Sequence, residues 1–173
     1  RELIHQLGLE RPNLMAAWEW AIAAVDLEAI RLLMISLNFM ADRQGSRSDI
    51  SAVLETGLQA LRARPRSEQE NPDFALVVAM LLGSLSEVRE RSGRLAEADA
   101  LLDESRQLLA GRALGAARWA EANYFERRMR AWLLLDMGDF VESARIFLQL
   151  CDELQTGNLS LPPYTPEGSR LWH

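Results

Sequence analysis

The 173-residue sequence contains no lysine, and all 19 of its basic residues are arginine. Lysine-dependent chemistry is therefore excluded within these residues, and so is a phosphate-binding loop ending in Lys-Ser or Lys-Thr. We attribute the arginine bias to a GC-rich genome rather than to selection for guanidinium recognition. The formal net charge of −6 opposes sequence-independent binding to nucleic acid, which depends on many cationic contacts. We expect no direct nucleic-acid binding.

Cysteine and histidine are also scarce. The one cysteine is Cys151, and the two histidines, His5 and His173, lie near opposite ends of the chain. An internal disulfide framework is excluded, and a single thiol is typical of the reducing cytoplasm. No cluster has the ligand spacing of a zinc site or the members of a nucleophile–histidine pair, so we predict no metal, no cofactor and no enzyme activity. Cys151 falls in an apolar stripe, where we expect it to be buried.

Long apolar runs are missing as well. The longest nearly unbroken run covers residues 74–83, about half of the roughly 20 residues that a membrane-spanning helix needs. We therefore predict no membrane association. The chain starts with Arg1 and has no charged-then-apolar leader, and we interpret it as a fragment of a larger protein.

Helical periodicity dominates the sequence, and no run of alternating β-branched residues is found. The pattern predicts an all-α chain of about seven helices: a junction helix in residues 1–25, helix pairs in 26–63, 73–110 and 116–156, and a non-helical tail in 157–173. A break at a glycine separates the two helices of each pair, at Gly45, Gly93 and Gly138. These glycines are 48 and 45 positions apart, a spacing typical of a helical repeat array.

The junction helix contains two tryptophans that cannot share one face. Trp18 continues an apolar stripe, whereas Trp20 falls on the opposite side among alanines. We predict that this helix is covered on both sides, with Trp20 at a junction between domains; the simpler alternative is a half-exposed Trp20. The next helix, over residues 27–41, is apolar almost all round and is predicted to be sandwiched.

The second helices of the last two predicted pairs align without a gap. The string GRLAEADALLDESRQLL from Gly93 matches GDFVESARIFLQLCDEL from Gly138. Leu95 is matched to Phe140, and Ala98 to Ser143. Both strings resemble the turn and second helix of a tetratricopeptide repeat. This resemblance implies a right-handed superhelix of antiparallel helix pairs in one domain over residues 1–173.

The N-terminal third, residues 10–61, resembles the segment that follows the nucleotide-binding and winged-helix portions of bacterial signal-transduction ATPases. These include transcriptional activators of the antibiotic-regulatory and LuxR-like types. The resemblance is carried by Glu10, Asn13, Leu14, Ala17, Trp20, Ala21, Leu33, Phe39 and Gly45. It implies a cytoplasmic regulatory arm whose ATPase lies upstream of residue 1.

The third long helix carries the strongest candidate binding surface. Phe125, Arg128 and Trp132 are spaced to lie on one side. In a tetratricopeptide superhelix the first helices line the concave groove, so the resemblance places these three residues, with Met80 and Glu87, on one groove. The alternative is that Phe125 and Trp132 pack on the preceding repeat while Arg128 extends outward.

Two functions are compatible with these patterns. The first is a non-enzymatic regulatory and protein-interaction domain of a signalling ATPase or transcriptional regulator, which binds a protein or peptide and contacts neighbouring domains of its own chain. The alternative is a domain that senses a small-molecule effector, similar to the inducer-binding superhelix of maltose-type activators. A closed, mostly apolar cavity near Phe125 and Trp132 would favour the sensor, whereas an open groove would favour protein binding.

Overall fold

The computed structural model describes residues 10–44 and 47–157, and within them the chain is entirely helical, with no strand. The eight helices in this part of the chain are α1 (Arg11–Ala24), α2 (Leu27–Gln44), α3 (Arg47–Arg62), α4 (Arg66–Gln69), α5 (Pro72–Glu90), α6 (Leu95–Leu109), α7 (Ala116–Asp136) and α8 (Phe140–Gln155). The all-α prediction is confirmed. Helix α4, of four residues, lies in the charged connection between α3 and α5, where the sequence predicted none.

The helix boundaries follow from local capping. Asn71 caps α5 by accepting a hydrogen bond from the backbone N–H of Asp73, and Pro72 occupies the first helical position, where a missing N–H costs nothing. The Asp26 carboxylate accepts a hydrogen bond from the Ala29 N–H at the start of α2. Val25, which ends α1, has a φ of 54°, so the turn between α1 and α2 is tight.

Helix α5 is the centre of the structure. Fourteen of its 19 residues are buried, because it packs against α2 and α3 on one side and against α6 and α7 on the other. Helix α8 packs mainly on α7. The core is correspondingly divided into a large cluster around α1, α2, α3 and α5 and two smaller clusters, one between α6 and α7 and one between α7 and α8.

The turns at Gly93 and Gly138 are equivalent. Each glycine has a positive φ, 74° and 86° respectively, a conformation that glycine adopts without strain. The N–H of Gly93 bonds to the carbonyl of Glu90, and the next N–H bonds to the carbonyl of Arg89. Gly138 repeats both bonds 45 residues later. Both turns are therefore Schellman motifs, whereas Gly45 lies outside the described residues.

A second correspondence is a buried hydrogen bond between the two helices of each pair. The Ser86 hydroxyl on α5 donates to the carbonyl of Ala98 on α6, at 2.9 Å. In the later pair the Ser143 hydroxyl on α8 donates to the carbonyl of Ala131 on α7, at 2.7 Å. The four residues are 0–2% exposed. Serine and alanine have exchanged helices while the contact is kept, so the two pairs share this contact at equivalent positions.

Two predictions about burial are wrong, and a third stays a prediction. Trp18 is 3% exposed but Trp20 is 61% exposed, so the described residues cover α1 on one side only, and the cover of Trp20 by another domain stays a prediction. Leu32 is 45% exposed, and α2 is therefore not sandwiched. Cys151 is exposed. It belongs to the part of the predicted α8 stripe that faces solvent, because α8 buries a different row, Ser143, Ile146 and Leu150, against α7.

Parts of the predicted organisation lie outside the described residues. They are residues 1–9 of the junction segment and residues 158–173 of the tail, and the side chain of Phe39 is also not described. Among the helices that are described, none combines the length and apolarity needed to cross a bilayer.

Candidate functional site

A cleft of about 500 Å³ opens between the C-terminal part of α5 and the second half of α7. Both helices are the first members of their pairs, so the cleft lies where two consecutive pairs meet. Five of its seven lining residues are charged. The lining residues are Glu87, Glu90, Arg91, Arg128, Met129, Trp132 and Asp136.

A glycine allows the two helices to meet next to the cleft. Gly83 of α5 lies directly under the ring of Phe125, and a β-carbon at this position would come within 2.5 Å of the ring. The ring therefore packs on the α5 backbone. The guanidinium carbon of Arg128 lies 5.9 Å from the centre of the same ring, within the range of a cation–π contact. The Phe125 ring therefore contacts both the α5 backbone and the guanidinium of Arg128.

Trp132 forms the aromatic wall of the cleft. Its indole is 45% exposed, and it packs edge-on against Phe147 of α8, with the ring centres 5.2 Å apart and the planes at 74°. This edge-to-face contact restrains the orientation of the indole. A large side chain that is held in place and exposed is well suited to contact a partner.

Two acidic side chains meet at the far end of the cleft. Partial burial of Glu90, followed by its hydrogen bond with Asp136 and the negative charges of Asp136 and Glu87, raises the pKa of Glu90 to about 7; the nearby Arg91 opposes this rise. Glu90 therefore keeps its proton to a higher pH than an ordinary glutamate does. The ion pair between Arg91 and Glu87, at 2.6 Å, lies on the same side of α5.

The structure brings together three of the five predicted groove residues. Glu87, Arg128 and Trp132 line the cleft. Phe125 does not, because it packs on Gly83, which agrees with the alternative considered for this residue. Met80 is 7% exposed and belongs to the main core cluster, so its placement on the groove is wrong. The reason is that α5 is covered on both sides along most of its length.

Sequence reasoning missed Glu90 and Asp136. A signal was present, since Glu90 is three positions after Glu87 and Asp136 is four positions after Trp132. Both residues therefore extend the same helix faces by one turn. In isolation each resembled an ordinary solvent-facing carboxylate near a helix end.

No family model, curated protein or solved structure matches this chain. Its function is therefore inferred from its own geometry. In the part of the chain that the structure describes, no three His, Cys, Asp or Glu side chains are grouped so that they could hold a metal ion.

The Glu90–Asp136 contact predicts a pH-dependent effect of Glu90→Gln. The unfolded chain releases the Glu90 proton near pH 4.5, but the folded chain retains it up to about pH 7, so this carboxyl lowers stability progressively between these values. We expect Glu90→Gln to stabilise the protein by about 1 kcal/mol at pH 8, a figure reduced for the partial solvent exposure of the group. At pH 4 we expect no difference.

Urea unfolding followed by circular dichroism at pH 4, 6 and 8 measures this effect. Glu70→Gln serves as the control, because Glu70 is exposed and its ion pair with Arg66 is on the surface. A Glu90→Gln effect of the same size at all three pH values would contradict the raised pKa.

Proposed function

We propose that the chain is a tetratricopeptide-like helical repeat domain with a regulatory, non-enzymatic role, and that it binds a protein segment in the cleft between α5 and α7. Its parent is a multidomain signal-transduction ATPase or transcriptional regulator. The observation that carries the proposal is the cleft itself, an open surface between consecutive first helices with a restrained, exposed tryptophan on its wall.

The repeat architecture is supported by the two equivalent pairs. Schellman turns recur at Gly93 and Gly138, and a buried Ser–carbonyl contact recurs between the two helices of each pair. The contacts of α5 with the helices before and after it, together with the docking of α8 mainly on α7, favour pairs stacked in line. Stacked antiparallel pairs produce a superhelix with one concave face lined by first helices.

The lining of the cleft favours a protein segment over a small apolar effector. A sensor for such an effector would enclose its ligand among apolar side chains, whereas this cleft has charged side chains at five of seven positions. A peptide offers backbone amides and charged side chains to such a surface. A basic side chain of the peptide would also offset the negative charge of Glu90 and Asp136 at this end of the cleft.

Helix α1 supports the proposed contact with a neighbouring domain. Trp20 is 61% exposed, and Ala16, Ala23 and Ala24, which are also exposed, lie at helical spacing around it. Small side chains around a large aromatic one allow another element to approach closely. We propose that a domain upstream of residue 1 covers this side of α1.

Peptide selection tests the proposed cleft. A phage-displayed library of random 12-residue peptides is selected on the immobilised protein, and the dissociation constants of the enriched peptides are measured by fluorescence anisotropy. We expect Trp132→Ala to weaken binding at least tenfold. Trp119→Ala is the matched control, because Trp119 lies on the same helix and is 47% exposed, and it should change the affinity less than twofold.

Three results would contradict the proposal. They are an absence of enriched peptides, equal losses for the two tryptophan variants, and ATP turnover by the purified chain above a buffer blank that a point mutation within these residues abolishes. The last result would contradict the non-enzymatic role specifically.

A further inference from the structure

Helix α8 ends the described array with an exposed apolar face. Phe140, Val141 and Leu148 are 65%, 83% and 71% exposed, and Ala144 and Cys151 are also exposed. We call Phe140, Ala144, Phe147, Leu148 and Cys151 the end face. Phe140, Ala144, Phe147 and Cys151 recur at intervals of three or four, and Leu148 lies four positions after Ala144, so they form one stripe along α8. Phe147 is half-buried and the other four are exposed, and a largely exposed apolar stripe of this kind is characteristic of an interaction site.

An equivalent face lies on α6, and there it is covered by another helix of the same chain. The residues that lie 45 positions before those of the end face form the equivalent row on α6. They are Leu95, Asp99, Leu102, Asp103 and Arg106. Helix α7 docks on that row. Met129 and Leu133 of α7 pack against Leu102, so α6 uses this row to receive the first helix of the following pair.

Charge decides which helix fits each face. On α6, Asp99 and Asp103 both bind Arg130 of α7, and Arg106 pairs with Glu126. At the equivalent positions α8 has Ala144, Leu148 and Cys151, which offer no charge. An arginine docked there would lose water without gaining a carboxylate, which is costly. The end face therefore selects a helix that is apolar where α7 carries Glu126 and Arg130.

We infer that the end face of α8 binds an amphipathic helix from outside these 173 residues, in the way that α7 docks on α6, and that this helix presents apolar side chains at the two positions where α7 has Glu126 and Arg130. Residues 158–173 are an unsuitable source, because three prolines oppose a helix of that length. Phe147 of the end face contacts Trp132 of the cleft wall, but Ala144 and Leu148 do not line the cleft, so substitutions at these two positions test the end face separately.

A peptide copied from α7 provides the probe. One fluorescein-labelled peptide has the sequence of residues 116–136, and a second has the same sequence with Glu126→Leu and Arg130→Leu. Anisotropy titrations with the full chain should show that the substituted peptide binds at least tenfold more tightly. Leu148→Glu in the protein should weaken that binding at least tenfold. Leu32→Glu, at an exposed leucine on α2, is the matched control and should have little effect.

A change of specificity gives the sharpest test. The double variant Ala144→Asp and Leu148→Asp recreates on α8 the pair of carboxylates that binds Arg130 on α6. It should reverse the preference, so that the unsubstituted peptide binds more tightly than the substituted one. Both substituted side chains are solvent-exposed in the parent, so the variant is expected to fold, and circular dichroism verifies this.

Other occupants would overturn the inference. If Leu148→Glu converts a dimer of the chain into a monomer in light scattering, the face belongs to a second copy. If the substituted peptide binds only after residues 158–173 are removed, the tail covers the face. A helix site on the end face is rejected if the substituted peptide binds neither the full chain nor the chain without residues 158–173. It is also rejected if Leu148→Glu leaves the binding unchanged.

Discussion

Trp18→Ala is expected to reduce the free energy of unfolding by about 3–5 kcal/mol, the usual cost of truncating a large buried aromatic side chain. Trp18 is 3% exposed, and it fits against α3 at Gly57, where a β-carbon would come within 2.6 Å of the indole. The other buried residue of α1 is Ala21, whose side chain is much smaller. Because small domains are stable by only about 5–15 kcal/mol, this loss would be a large fraction of the total.

Trp20→Ala is the matched comparison. The same residue type lies two positions away on the same helix, but it is 61% exposed, and we expect its removal to change stability by less than about 0.5 kcal/mol. Urea unfolding followed by the circular dichroism signal at 222 nm avoids the loss of tryptophan fluorescence in either variant. Equal costs for the two substitutions would show that the described side of α1 does not carry its main packing.

The all-helical fold was predictable because its signals are local. Gly93 and Gly138 end helices through contacts within a few residues, and the buried row of α3, which includes Ile50, Leu54 and Leu58, follows helical periodicity. Even the equivalence of the last two pairs was visible in the sequence. The exchange of serine and alanine was not predicted. The serine is on the first helix of one pair, as Ser86, and on the second helix of the next, as Ser143, and this is recognised only when the hydrogen bond across each pair is seen.

Burial was predicted poorly where it depends on which neighbour is present. The apolar residues of α8 form two rows, and periodicity alone does not say which row meets α7. The structure buries Ile146 and Leu150 and leaves Leu148 exposed. The same limitation applies to α2, where Leu32 lies on the face that has no described neighbour.

The candidate site was predictable only in part. Arg128 and Trp132 were identified from composition and spacing on one helix. Met80 was placed incorrectly because α5 is covered on both sides at this position, and Glu90 was missed because its pKa depends on Asp136, which is 46 positions away. Contacts between helices decide both outcomes, and the spacing within one helix shows which face a residue lies on but not what that face meets.

One such contact gives the second large prediction. The guanidinium of Arg31 on α2 donates to the Glu121 carboxylate on α7 at 2.8 Å, and both side chains are nearly buried, 12% and 11% exposed. Arg31 also binds Glu28. We expect Glu121→Ala to cost about 2–3 kcal/mol, somewhat less than the usual cost of breaking a buried ion pair, because Glu28 still compensates part of the charge.

The control is an exposed ion pair. Glu104 pairs with Arg62, and both side chains are 47% exposed, so Glu104→Ala should cost less than about 1 kcal/mol. Urea unfolding at neutral pH measures both variants. A cost for Glu121→Ala no larger than that of the exposed control would show that this pair adds nothing beyond a surface contact.

A double variant separates the value of the pair from the penalty of breaking it. Arg31→Met together with Glu121→Leu removes both charges and fills the space with apolar atoms, so no desolvated ion is left behind. We expect it to be at least as stable as the parent, because apolar replacement of a buried pair is often neutral or stabilising by about 1–4 kcal/mol. Such a result, with Glu121→Ala destabilised, would mean that the pair fixes how α7 sits against α2 rather than adding net stability.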